Sequence, residues 1–318
     1  MDLRQLSALT AVHDNGSFSA AARALHTVQS NVSTHVARLE RELGATLVDR
    51  STGLLTEEGM VVVERAGRVQ AELDAMASDV ASMGDVVSGA ARVGVIGTVG
   101  RWLVPRLVDA VHREHPLVRL VVVDATTSSL TPMVEAGAVD FAIVNIPLSR
   151  PDVSIEPLFA EDRILVAPTR HPLAAHDHVS LGVVAEHELL LPPPGTSFRD
   201  ELDAAAARVG VQLTSKAEVD GMRLLASLAF QGFGATIIPS GAAPSYVGGD
   251  WTIVAIDELV PRSVGLVRRS KGLLSLPARA VHDELLSVVA EQLATRAGIH
   301  PLPDGPVPQA DAPSPAPA

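Results

Sequence analysis

Residues Val28–Leu43 read VQSNVSTHVARLEREL, and the two faces of that stretch decide how the chain is read. Val28, Val32, Val36, Leu39 and Leu43 recur at steps of four, four, three and four, the period of a helix packed on one side. At about 100° per residue the opposite face carries Ser30, Thr34, Arg38 and Arg41, flanked by Gln29, Asn31 and Ser33. Glu and Lys are more usual on an exposed helix face. Short polar side chains near the start let a helix approach base edges in a major groove, and the arginines further along reach phosphates.

The preceding residues fit a helix, turn, helix arrangement. Leu3, Leu6, Leu9 and Val12 mark a first helix, ended at Asp14-Asn15-Gly16, and Phe18, Ala21, Ala22 and Leu25 mark a short second one before His26-Thr27. An ordinary helical hairpin has the same pattern, so both readings stay open on these residues alone. Downstream, Gly44 stops the helix, and Leu47–Arg50 with Leu54–Thr56 across Ser51-Thr52-Gly53 read as a two-stranded wing. Arg50 is its candidate contact to phosphate or minor groove, or else a solvated surface arginine beside Asp49.

The run Ser17–Arg50, SFSAAARALHTVQSNVSTHVARLERELGATLVDR, resembles the N-terminal signature of the LysR-type transcriptional regulators, and the similarity continues to about residue 298. The fold this implies is an N-terminal winged helix-turn-helix, mainly α, with a long linker helix, then a two-lobed α/β effector domain of the periplasmic-binding-protein type. Three features depart from the family pattern: Thr34 where Arg is frequent, Val48 where Phe is frequent, and Glu57-Glu58 before Gly59 where Pro or Ala is usual. The operator sequence therefore does not transfer from relatives.

Composition constrains the reading. A chain of 318 residues suggests about two domains. With no cysteine it has no disulfide, thiolate metal site, cysteine nucleophile or thiol redox switch. The net charge is −12, and residues 1–60 hold five arginines against seven carboxylates, a net of −2. A DNA module of this charge has a weak phosphate term per protomer and depends on pairing and base-edge contacts. The chain opens on a helical pattern without a basic and apolar leader, and no apolar run reaches the roughly 18 residues of a membrane span, so a cytoplasmic, soluble protein without membrane contact is expected.

Thr56 is placed to cap a long helix whose Val62, Ala66, Val69, Leu73, Met76, Val80 and Met83 alternate steps of four and three. That heptad seam predicts helix pairing and a homo-oligomer, a dimer or dimer of dimers, which suits an interrupted palindrome in double-stranded DNA. Packing on the chain's own second domain is the rival reading. The expected division is 1–58 for the DNA-binding domain, 59–90 for linker helix and hinge (the break at Gly84–Gly89), 91–300 for the effector domain and 301–318 for a disordered Pro/Ala-rich tail. Strand-like runs at 91–96, 118–123 and 139–144 alternate with helices, a βαβαβ start. The resemblance further implies lobe I at 91–161 plus 267–298 and lobe II at 162–266, with a cleft between them.

Ligands in open α/β sheets lie beyond the carboxyl ends of strands, often at helix N-termini. That rule picks out Thr98, then Thr127 and Ser128, then Asn145, and the second lobe offers Thr196 and Asp220. Helix capping is the plainer role for such residues. The resemblance implies effector contacts at the loops matching Thr98, Thr127 and Thr196, and the Thr, Ser and Asn content of the mouth points to a small polar or anionic effector. Gly94, Gly97 and Gly100 have G-x-x-G-x-x-G spacing, not the dinucleotide fingerprint. His171, His176 and His178 read as a solvated loop, and His112 and His115 as exposed helix residues. H-E-x-x-H, G-x-S-x-G and P-loop motifs are absent from the sequence, so no enzyme, metal or cofactor is expected. The reading is a DNA-binding regulator that uses Gln29, Ser30, Ser33, Thr34, Arg38 and Arg50 and answers to a small effector, with RNA polymerase a possible partner. The alternative is a cytoplasmic small-molecule binding protein or enzyme whose N-terminal helices only dimerise it.

Overall fold

The computed structural model describes residues 1–81, 86–244 and 248–302. Met83, Gly84 and Asp85 at the start of the hinge, and nearly all of the 301–318 tail, fall outside the described residues.

Three short helices form the N-terminal unit: α1 (Leu3–Asn15), α2 (Phe18–Ala24) and α3 (Gln29–Leu43). Asp2 opens α1 with a capping box, its carboxylate accepting the Gln5 amide while Gln5 returns a bond to the Asp2 amide. Gly16 and Gly44 end α1 and α3 in the left-handed conformation that favours glycine. Val32, Val36 and Leu39 join Leu9, Val12, Leu47 and Val48 in one apolar core. The ends of the expected apolar stripe do not join it, since Val28 is 60 % and Leu43 43 % exposed. Val28 is the N-cap residue, outside the first helical turn, and Leu43 is the last residue of α3. The wing is also smaller than two strands. A single antiparallel bridge joins Val48 to Leu55, with Asp49 donating to the Leu54 carbonyl at 2.8 Å and Thr56 to Leu47 at 3.0 Å.

Helix α4 (Glu57–Ala81) follows, and the Thr56 hydroxyl accepts the Gly59 amide at 3.0 Å. Gly59 sits where a Cβ would stand 2.1 Å from the Leu47 carbonyl oxygen, so the crossing of α4 over the wing requires a residue without one. The helix has two faces. Arg68, Gly67 and Asp79 dock on the chain's own second domain: Arg68 donates to the Glu135 carbonyl at 2.8 Å and Asp79 accepts the Leu276 amide at 2.7 Å. Val69, Met76 and Val80 of the heptad seam stay exposed. Earlier in the seam Ala66 is buried and Val62 packs on the N-terminal core, so both rival readings describe part of α4.

The remaining chain folds, among the described residues, around two six-stranded sheets. Its strands are β1 (Ser88–Val95), β2 (Leu117–Asp124), β3 (Phe141–Ile146), β4 (Val153–Glu161), β5 (Arg163–Pro168), β6 (His178–Val179), β7 (Glu188–Leu191), β8 (Thr214–Glu218), β9 (Ala235–Pro239), β10 (Trp251–Ile256), β11 (Arg262–Arg269) and β12 (Ile299–His300). The helices are α5 (Gly97–Glu114), α6 (Thr127–Glu135), α7 (Leu181–Ala185), α8 (Ser197–Arg208), α9 (Met222–Phe230) and α10 (Leu276–Thr295). The first sheet has the order β12-β4-β11-β3-β1-β2 and the second β6-β10-β5-β9-β7-β8. Parallel pairing of β1 with β2 and β3 reflects the βαβαβ start, while β11 runs antiparallel between β3 and β4.

The chain passes from the first lobe to the second at Asp162, between β4 and β5, and returns between β10 and β11. The expected return at residue 267 is corrected by this pairing. β11 is laddered to β4 from Arg262 onward, so Arg262–Leu266 belong to lobe I. Val264 and Leu266 are fully buried in the lobe I core, which their alternating pattern could not assign to one lobe or the other. His115 is half-buried, 3.6 Å from Glu284, rather than an exposed helix residue. His171 caps a 3-10 turn at Pro172–Ala175, its ring nitrogen accepting the Leu173 amide at 3.3 Å.

Candidate functional site

On α3 the side chains of Gln29, Ser30, Thr34 and Arg38 are exposed, and Ser33 is partly covered. The Thr34 hydroxyl donates back to the Ser30 carbonyl at 2.7 Å, and Ser19 of α2 donates to Gln29 Oε1 at 2.8 Å, which fixes two of these groups. Arg50 does not project from the wing. It lies over the Phe18 ring at 4.8 Å, donates to Glu40 Oε2 at 2.7 Å and reaches the Ser33 hydroxyl at 3.4 Å. Glu40 in turn accepts the Leu47 and Val48 amides at 2.9 and 3.3 Å. Burial works to raise the Glu40 pKa, but those amide donors and Arg50 outweigh it and hold the carboxyl below its usual range. The wing cation is thus presented beside the recognition helix.

Between the lobes lies a cleft of about 810 Å³, within the span of small-molecule sites. Thr98, Thr127, Ser128 and Asn145 line it together. Thr98 is buried and its hydroxyl accepts from Arg262 at 2.6 Å, while Thr127 Oγ1 accepts the Asn145 amide at 3.1 Å. Asn145 Oδ1 is buried without a partner. Thr196 and Asp220 are not in the lining. Thr196 turns its hydroxyl back to the Pro193 carbonyl at 2.9 Å, and the next residues along, Ser197 and Gly221, face the cleft instead.

The first residues of α5, α6, α8 and α9 (Gly97, Thr127, Ser197 and Met222) all line this cleft. Only α6 has a side-chain cap, from Thr126; the caps Ile96, Thr196 and Gly221 supply no acceptor. Three helix ends therefore point uncapped amides and positive dipole ends toward one space. Arg150, Arg223 and Arg262 add cationic side chains, with Asp124 paired to Arg223 across the lobes. These four residues were not picked out from sequence. Asp124 ends β2 and obeys the strand-end rule, whereas Arg262 was assigned to the wrong lobe.

Behind the cleft a hinge network ties the lobes. Glu161 is fully buried at the end of β4; its Oε2 accepts Arg262 Nε at 2.7 Å and its Oε1 the Gly241 amide of lobe II at 2.6 Å. A Cβ on Gly241 would stand 2.3 Å from Glu161 Oε1, so close approach is built into that position.

Comparison with known proteins gives the class first: a bacterial regulator with a helix-turn-helix reader and an effector domain. Residues 3–60 match the bacterial regulatory helix-turn-helix protein family of lysR type, and residues 84–290 match the LysR substrate binding domain. The chain belongs to the LysR family of transcriptional regulators. It is 31 % identical over 283 residues to the uncharacterized HTH-type regulator YfeR of Shigella flexneri, covering 88 % of this chain and 92 % of that one. It is 34 % identical over 245 residues to a probable hydrogen peroxide-inducible genes activator of Streptomyces viridosporus, covering 76 % and 78 %. The full-length OxyR structure from Pseudomonas aeruginosa superposes with a TM-score of 0.70 at 25 % identity, covering 91 % and 94 %. The protein is a DNA-binding transcriptional regulator whose action is modulated by an effector. No described helix is long and apolar enough to cross a membrane.

Proposed function

We propose that this chain, in the cytoplasm, reads an interrupted palindrome as a dimer or dimer of dimers, and that a small anion in the interlobe cleft sets the placement of its paired DNA modules. Gln29, Ser30, Ser33, Thr34 and Arg38 face the major groove and Arg50 a flanking phosphate. Val69, Met76 and Val80 meet their counterparts on a second α4. The effector is bound and released unchanged, without enzymatic turnover, and the repositioned modules alter DNA bending or access of RNA polymerase.

One observation carries the coupling: α6 begins in the cleft at Thr127 and ends under the linker helix, where the Glu135 carbonyl accepts from Arg68. A ligand that draws on the first turn of α6 displaces the rod on which α4 rests. The uncapped ends of α5, α8 and α9 and the cleft arginines favour a carboxylate or phosphate over a neutral molecule. The name of the Streptomyces relative refers to hydrogen peroxide, but this chain has no cysteine to oxidise, so its signal arrives by non-covalent binding.

Thermal melting of the full chain against matched carboxylates and their amides tests the reading. Stabilisation by an acid and not by its amide, lost in Thr127→Val and Arg223→Ala, is the expected result. Equal stabilisation by acid and amide would remove the anion assignment.

A further inference from the structure

Arg262 separates the cleft from a second chamber of about 520 Å³, lined by the end of β3, the start of β5, one face of α8 and the Leu259–Ser263 segment. Its walls are largely apolar, with Phe198, Ala204 and Ala205 of α8 facing Leu259, Val260 and Pro261. The polar lining sets Arg163, Arg208 and Arg262 against one carboxylate, Glu201, with Asn145 and Ser263 neutral. Arg163 is nine-tenths buried; two of its nitrogens are held by the Val260 carbonyl and Glu201, but its Nε is buried without a partner. Burial lowers the pKa of that guanidinium against the opposing pull of Glu201. Arg262 is neutralised by Glu161 and Arg163 by Glu201, which leaves Arg208 as the uncompensated charge on the lining.

We infer that this rear chamber is a second small-molecule site, taking a monoanionic carboxylate with an aromatic or other apolar body. The apolar walls and the Phe198 ring, 6.0 Å from the Arg163 guanidinium, suit the body. Arg208, on the lining and without an ion-pair partner among the described residues, suits one carboxylate. The volume admits a molecule of one ring and a short side chain. The rear chamber shares Asn145, Phe198 and Arg262 with the front cleft, and the rest of its lining comes chiefly from α8 and the Leu259–Ser263 segment. A ligand there touches β5, α8 and β11 at the crossing between lobes, so it bears on the same hinge as Glu161.

Because the chain has no cysteine, a single introduced thiol reports occupancy. Ala204 is exposed on the rim of the rear chamber and Ser128 on that of the front cleft. The experiment measures the rate at which N-ethylmaleimide alkylates full-length Ala204→Cys and Ser128→Cys, with millimolar phenylacetate or uncharged phenylacetamide. The inference predicts that phenylacetate slows the Ala204→Cys reaction roughly fivefold or more. It predicts that phenylacetamide does not, and that adding Arg208→Ala removes the protection. Absence of protection at Ala204→Cys, protection confined to Ser128→Cys, equal protection by the amide, or protection that survives Arg208→Ala would each overturn it. The Ser128→Cys arm reads the front cleft separately, so failure here leaves the effector reading untouched.

Discussion

Arg50 of the wing and Glu40 of the recognition helix are joined at 2.7 Å, and the other oxygen of Glu40 holds the first wing amide, Leu47, at 2.9 Å. Helix and wing are therefore one unit, and the wing cation is oriented before DNA arrives. Glu40→Gln keeps an acceptor for the amides but removes the charge, and the half-exposed Arg50 limits the loss to about 1 kcal/mol. The carboxyl titrates below its usual 4.5, so its contribution is present above that pH and is lost as pH falls through the lowered value. Thermal melting in an acid series checks this: the wild type should converge on Glu40→Gln in acid and exceed it at neutral pH.

Gly59→Ala should destabilise the N-terminal unit, against the usual gain from replacing a helical glycine. The added methyl would meet the Leu47 backbone carbonyl, which cannot swing aside. A loss of about 2 kcal/mol or more is expected in denaturant unfolding. An unchanged midpoint would show that the wing can retreat from α4.

At the hinge, Glu161→Gln or Arg262→Met alone leaves a buried partner uncompensated and should cost about 3–5 kcal/mol. The double variant Glu161→Leu with Arg262→Met should recover much of that. Gly241→Ala acts by a different route, forcing the lobe II backbone off Glu161, and small-angle scattering should record a more open interlobe angle.

Arg68→Ala removes the link from α4 to the last carbonyl of α6 and to Asp152. Operator affinity should remain near wild type while the response to an effector falls. If affinity and response fall together, Arg68 only holds the fold.

Elements with a strong local period were legible in the sequence. The α3 stripe of Val32, Val36 and Leu39 fixed which face was free, while of the α4 heptad seam Val69, Met76 and Val80 stay exposed but Ala66 is buried and Val62 packs on the N-terminal core. The strand-end rule reached Thr98, Thr127, Ser128 and Asn145 because it depends only on where strands stop. What escaped depends on long-range pairing. The lobe assignment of β11 is decided by its ladder to β4, about a hundred residues earlier, and an alternating apolar pattern has no record of its partner. Arg262, Arg150 and Arg223 come from three separate segments and share a cleft only once the lobes meet. Thr196 and Asp220 missed by one residue: the Thr196 hydroxyl turns back to the Pro193 carbonyl, and Gly221, between Asp220 and α9, lines the cleft in its place.

The central claim is that the polar face of α3 reads DNA sequence, and fluorescence anisotropy of the full chain on DNA from its own upstream intergenic region tests it most directly. Random DNA, a salt series and Ser33→Ala with Thr34→Ala complete the set. The account predicts saturable binding selective over random DNA, and a shallow salt dependence, since residues 1–60 carry a net charge of −2. It also predicts a roughly tenfold or greater loss of selective affinity in the double variant. Wild-type affinity in that variant, or equal steeply salt-dependent binding to both DNAs, would contradict it.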